Sequence, residues 1–109
     1  MNDILAKAEE LGKAIAASDR FKAAESARKQ IEADQPLQAD LKALEEVSRK
    51  IATLERDKKP VEPDDKRRAR DLQEKIATHP KMQALARTEA DLSELMNRIN
   101  RAIRTPLSG

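Results

Sequence analysis

PKMQALARTEADLSELMNRINRAIR, residues 80–104, is the stretch that decides the fold class. Met82, Leu85, Glu89, Leu92, Met96, Ile99 and Ile103 succeed one another at alternating spacings of three and four. This is the a/d rhythm of a helix that lays one face on another helix. Leu95 lies beside the seam and widens it. At ~1.5 Å of rise per residue the helix is roughly 36 Å long, and Pro106 and Gly109 are expected to end it.

Working toward the N-terminus, Thr78-His79-Pro80 reads as a helix restart, because proline is tolerated in a first turn where its missing N–H has no intrahelical partner. Asp34-Gln35-Pro36 has the same form, which makes Asp34 and Thr78 equivalent capping residues in this reading. After Pro36, Leu37, Leu41, Leu44, Val47, Ile51 and Leu54 predict a second long helix over 37–57, again with a coiled-coil-like seam. Lys58-Lys59-Pro60-Val61-Glu62-Pro63-Asp64 separates the two halves as a linker, since two prolines three apart exclude a regular helix.

Three shorter helices complete the chain. Ile4, Ala8, Leu11 and Ile15 share one face of a helix over about 3–17; Phe21, Ala24, Ala27 and Ile31 do so over 19–33, with Ser18 as N-cap. Ala69, Leu72 and Ile76 form a narrow apolar face over about 65–77, capped by Asp64 or Asp65. The order short helix, proline junction, long helix thus occurs twice, at 19–57 and 65–104, which suggests a weak internal duplication. Proline junctions are also common helix starts.

Composition agrees with an all-α helical bundle of about five helices in one domain, residues 1–109. Alanine, the best helix former, supplies 18 residues, against 24 large apolar ones. Two valines, one aromatic residue and two glycines leave little material for strands or hairpin turns. Charged residues make up 39% of the chain, yet the net charge is only +2, which fits solvated helix faces.

Several function classes fall away. With no cysteine, thiolate zinc sites and cysteine-held iron–sulfur clusters are excluded. His79 is the only histidine, Gly12 stands alone in a helical segment without a phosphate loop, and no serine has a histidine base nearby in sequence. Neighbouring carboxylates such as Glu9-Glu10, Glu45-Glu46 and Asp64-Asp65 diverge by ~100° on a helix and suit solvated faces. No catalytic residue, cofactor, metal or small-molecule substrate is therefore expected, and the protein reads as a non-enzyme. MNDILAKAEELGKAI carries Asp3, Glu9 and Glu10 among its apolar residues, unlike a signal peptide, and no apolar run reaches membrane-spanning length. The expected location is the cytoplasm, without a membrane partner.

Two features point toward partners. The seam Met82, Leu85, Glu89, Leu92, Leu95, Met96, Ile99 and Ile103 offers more apolar surface than short, Ala-rich helices cover, so a dimer or small oligomer is expected with this seam as interface. Glu89 is the polar exception within it, either selecting register against an arginine or lying on an exposed rim. Residues 1–57 carry net −2 and residues 58–109 net +4. Lys66, Arg67, Arg68 and Arg70 are candidate RNA contacts, but acidic neighbours interrupt them and no aromatic ring lies near to stack a base. Direct nucleic-acid contact is thus the alternative reading rather than the leading one.

AEELGKAIAASDRFKAAESARKQIEADQP, the long helix that follows, the proline-containing linker, LQEKIATHPKMQALARTEADL and SELMNRINRAI together resemble the YlbF/YmcA family of small helical regulators. The resemblance spans nearly the whole chain and rests on order and spacing. It implies a bacterial cytoplasmic protein that forms helical homo- or hetero-oligomers, with another helical protein as partner. Its members are linked to developmental control and to assembly of an endoribonuclease-regulating complex. Iron–sulfur roles proposed for some members are not carried over, because the thiolates are missing.

Overall fold

The computed structural model describes residues 2–108, which form five helices and, among those residues, no strand. These are α1 (Asn2–Ala17), α2 (Asp19–Glu32), α3 (Gln35–Arg56), α4 (Pro63–Ala77) and α5 (Pro80–Leu107). The chain divides into two compact units. One contains residues 1–29 and 84–109, the other residues 30–83.

In the first unit, Ser18 both ends α1 and starts α2. Its hydroxyl donates to the Ile15 carbonyl at 2.6 Å and accepts from the Phe21 N–H at 3.2 Å, so one side chain satisfies a C-terminal acceptor and an N-terminal donor. Ala24 and Ala27 are the buried residues of α2 here. Three polar contacts between α2 and α5 run antiparallel. Arg20 reaches Glu94 at 4.0 Å and donates to the Asp91 carbonyl at 3.2 Å, while Arg28 lies 3.8 Å from Glu89.

The second unit is built on an antiparallel pair, α3 and α4. Asp40 meets Lys75 at 3.1 Å and Lys50 meets Asp65 at 2.9 Å, so advancing from 40 to 50 on α3 retreats from 75 to 65 on α4. Ile31, Leu37, Val47, Ala69 and Ile76 form its buried core, with Leu37 the most completely enclosed at 2% exposure. Gln38 closes the end of α2 by donating its amide to the Ile31 carbonyl at 3.0 Å.

Several local expectations are corrected. Pro63, assigned to the linker, is the first residue of α4, and Glu62 is its N-cap without a side-chain hydrogen bond. Asp64 and Asp65 lie in the first turn rather than capping it, where their charges still suit the helix dipole. Thr78 is not the counterpart of Asp34. Its hydroxyl turns back to the Glu74 carbonyl at 2.8 Å and helps end α4. His79 caps α5 instead, with Nδ1 accepting from the Lys81 N–H at 3.1 Å. The difference of one residue arises because Pro80 opens α5 as its first residue, whereas Pro36 is the second of α3.

Pro106 does not end α5; the helix continues to Leu107. Proline removes one N–H donor, but residues 101–108 are exposed, so water satisfies the carbonyl left free. Thr105 Oγ1 donates to the Arg101 carbonyl at 2.8 Å, and Ser108 Oγ to the Arg104 carbonyl at 3.0 Å. The end of α3 is a Schellman turn, with Lys59 N–H bonded to the Leu54 carbonyl and Lys58 N–H to that of Glu55. Lys58 takes the left-handed conformation there, φ 58°.

Candidate interaction surface

The apolar stripe foreseen on the first helix is present and uncovered. No residue of α1 is buried, and Ile4 is 74% and Leu5 60% exposed. Leu11 shares this face, as does Gly12, where an added Cβ would meet nothing within 4 Å. At 100° per residue, Leu11, Ile4, Ile15, Ala8, Gly12 and Leu5 fall within an arc of roughly 120°, wide enough to bury against another helix. Ile15, next to the Ser18 turn, is the half-buried end of this stripe.

The α5 seam divides in two. Met82, Leu85, Leu92, Leu95, Met96 and Ile99 are half-buried, whereas Ile103 is 48% and Leu107 80% exposed. Glu89 is exposed and its arginine partner is Arg28 of the same chain. Pairing of this kind between solvated groups contributes little, ~0 to 1 kcal/mol. Ile4, Leu5, Leu11 and Leu107 lie outside the interface expected from the sequence. Ile4 and Leu11 belong to the stripe read on the first helix, but a stripe alone does not reveal whether its own chain covers it.

Charge follows the same division. Along the paired helices, acidic and basic side chains meet: Arg20 with Glu94, Arg28 with Glu89, Lys50 with Asp65, Lys75 with Asp40 and Lys81 with Asp34. Among the described residues, Asp3, Glu9 and Glu10 of α1 and Arg98, Arg101 and Arg104 of α5 form no ion pair. On α4, Lys66, Arg67, Arg68 and Arg70 are exposed; Arg67 lies 3.4 Å from Asp64 and Arg70 3.7 Å from Asp71, leaving the net basic charge of this face small.

Within the second unit a polar cluster ties the start of α3 to the start of α5. Asp34 Oδ1 accepts from the Leu37 N–H at 3.0 Å, and Oδ2 accepts from Lys81 Nζ at 2.9 Å. His79 Nε2 lies 3.7 Å from the same Oδ2. The Lys81 hydrogen bond, followed by that from Leu37, holds the Asp34 carboxyl below its ordinary value. Asp65 Oδ2 is covered and accepts no hydrogen bond of regular geometry; its charge is met by Lys50 Nζ. The Asp65 carboxylate in turn raises the Lys50 ammonium above its ordinary value. These groups are engaged in fixing helix ends and register.

The fold and this surface define a class of small helical proteins. The family model described as "Control of competence regulator ComK, YlbF/YmcA" matches residues 4–108, and the chain belongs to this family. A UPF0342 protein of Lactobacillus helveticus is 27% identical over 108 residues, covering 99% of this chain and 93% of that one. A second UPF0342 protein, from Lactobacillus acidophilus, is 26% identical over the same length and coverage. Among solved structures, a chain of the crystal structure of Bacillus subtilis RicA in complex with RicF superposes with a TM-score of 0.84 at 16% identity, over 97% of this chain and 94% of that one. A protein of unknown function (DUF964) from Bacillus stearothermophilus gives 0.64 at 18% identity, over 97% and 93%. These likenesses show the fold. Among the described residues, no helix is long and apolar enough to cross a membrane.

Proposed function

We propose that the protein is a non-enzymatic regulatory adaptor of the cytoplasm that works by helix-mediated association, both with itself and with another helical protein. The observation that carries this reading is the concentration of exposed large apolar side chains on α1 and the end of α5: Ile4, Leu5, Leu11, Ile103 and Leu107. Apolar residues grouped in this way favour a partner, because burying each side chain is worth ~1.5 to 3 kcal/mol. The family's link to competence control and the capture of RicA with RicF support the same reading. In it, the adaptor modulates an RNA-processing or endoribonuclease complex through protein contacts.

The test is recovery of the tagged, full-length chain from its native cell, followed by mass spectrometry. A second helical protein at a stoichiometric level is the expected result. Recovery of the chain alone would overturn the adaptor role. A second reading, direct RNA contact, draws on the exposed Lys66 and Arg68, which have no ion-pair partner among the described residues. It requires RNA binding that survives physiological salt, where contacts made only to phosphates weaken steeply.

A further inference from the structure

We propose that the junction between α4 and α5 is a proton-sensitive switch, in which His79 caps α5 as a neutral imidazole and exchanges that cap for Asp34 as an imidazolium. The inference goes beyond the adaptor reading and does not depend on it. His79 lies between Ala77, which ends α4, and Pro80, which opens α5. Its Nδ1 accepts from the Lys81 N–H at 3.1 Å, so the single proton of the neutral ring sits on Nε2. Nε2 in turn lies 3.7 Å from Asp34 Oδ2. A second proton has only Nδ1 to bind. There it meets the Lys81 N–H donor to donor, and the cap is lost.

The surroundings of the ring turn this loss into an exchange. A cation at the start of a helix opposes the helix dipole and is driven away from it. Asp34 offers the opposite charge, on a side chain only 15% exposed. Its hydrogen bonds from Lys81 and Leu37 hold the carboxyl below its ordinary value, so it remains an anion while the imidazole gains its proton. Lys81 Nζ already occupies Oδ2 at 2.9 Å, and the imidazolium competes with it there. Among the described residues, Asp34 before α3 and Lys81 of α5 are the charged groups that face the ring. Glu32 of α2 and Glu74 of α4 form no ion pair with it, and Lys75 of α4 is paired with Asp40 of α3. The His79 side chain is 28% exposed, so solvent delivers the proton without unfolding.

The experiment is nuclear magnetic resonance of the full-length, nitrogen-15-labelled protein between about pH 8 and about pH 5, the range in which imidazoles change charge. At the upper end Nε2 should carry the ring proton, and a coupling across the hydrogen bond should join the Lys81 amide nitrogen to Nδ1. Acidification should protonate Nδ1 and abolish that coupling. Protection of the Lys81 N–H from solvent exchange, corrected for the intrinsic rate at each pH, should fall at least about tenfold. The Leu37 N–H, held by Asp34, should keep its protection. His79→Asn supplies a neutral oxygen acceptor that gains no proton, so in that variant the Lys81 N–H should stay equally protected throughout. A neutral ring that carries its proton on Nδ1, or Lys81 protection that ignores the charge of the ring, would overturn the proposal. So would the same acid loss in His79→Asn, or an equal loss at Leu37.

Discussion

Asp34 and Lys81, 47 residues apart, meet at 2.9 Å and join the N-cap of α3 to the first turn of α5. The same carboxylate caps α3 through the Leu37 N–H, so one side chain orders two helix starts at once. Asp34→Ala removes both contacts and should lower Tm by roughly 4 °C or more. Asp34→Asn keeps an oxygen for the Leu37 N–H but loses the charge facing Lys81, and should lower Tm by less. Thermal unfolding of the three proteins at neutral pH checks the order. An Asn variant as damaged as the Ala variant would show that the ion pair, rather than the cap, carries the stability.

The response to pH follows from the two shifted groups. The folded-state value of Asp34 lies below its ordinary 3.8, so its contribution is present above 3.8 and is lost as pH falls through the lower folded value. Lys50 lies above its ordinary 10.5, so its contribution is complete below 10.5 and is lost as pH rises through the higher folded value. Tm should therefore decline at both extremes, with a shallower acid limb in Asp34→Asn and a shallower alkaline limb in Lys50→Met. Thermal scans across pH provide the measurement, and unchanged limbs would contradict the assignment.

The helical class and the order of five helices were legible in the sequence because alanine content, apolar periodicity and scarcity of strand formers all point one way. The Ser18 and Asp34 caps were legible for the same reason: short polar side chains stand three residues before an N–H they satisfy. The second proline junction departs from the spacing of the first because His79, and not Thr78, takes up a first-turn N–H, that of Lys81 through Nδ1. Pro106 was read as a stop because the rule concerns a lost hydrogen bond, yet at an exposed end water replaces it. The interaction surface was half legible. The stripes on α1 and α5 were readable, but periodicity identifies an apolar face without identifying what covers it. For Glu89, the partner Arg28 lies on a different helix, a tertiary relation that spacing does not encode.

The Lys58 turn gives a prediction with the opposite sign. A non-glycine residue in the left-handed conformation places Cβ against the following carbonyl, at a cost of ~1 to 2 kcal/mol that glycine avoids. Lys58→Gly should leave the Schellman bonds from Lys59 to Leu54 and from residue 58 to Glu55 in place. It should stabilise the protein by up to about 1 kcal/mol, after the entropy lost from a freer unfolded chain. Urea denaturation measures this. A destabilised glycine variant would mean that the lysine side chain makes a contact outweighing its backbone strain.

Leu37 and Leu107 carry the same side chain and should respond in opposite ways to its removal. Leu37 is 2% exposed in the core of the second unit, one turn inside α3, where Asp34 holds its N–H. Leu37→Ala removes buried methyl groups and leaves a cavity between helices that can close only partly, so the loss should be ~2 to 5 kcal/mol. Leu107 is 80% exposed at the last turn of α5, so within one chain Leu107→Ala leaves no cavity and should change stability by ~0.5 kcal/mol or less. If Leu107 belongs to the proposed self-association surface, the loss from Leu107→Ala should appear instead in self-association. The contrast is read by measuring urea unfolding at a concentration low enough for the monomer and sedimentation at one high enough for the dimer. Leu37→Ala should shift the first, and Leu107→Ala the second alone. A large loss of monomer stability from Leu107→Ala would place that side chain in the fold rather than on its surface.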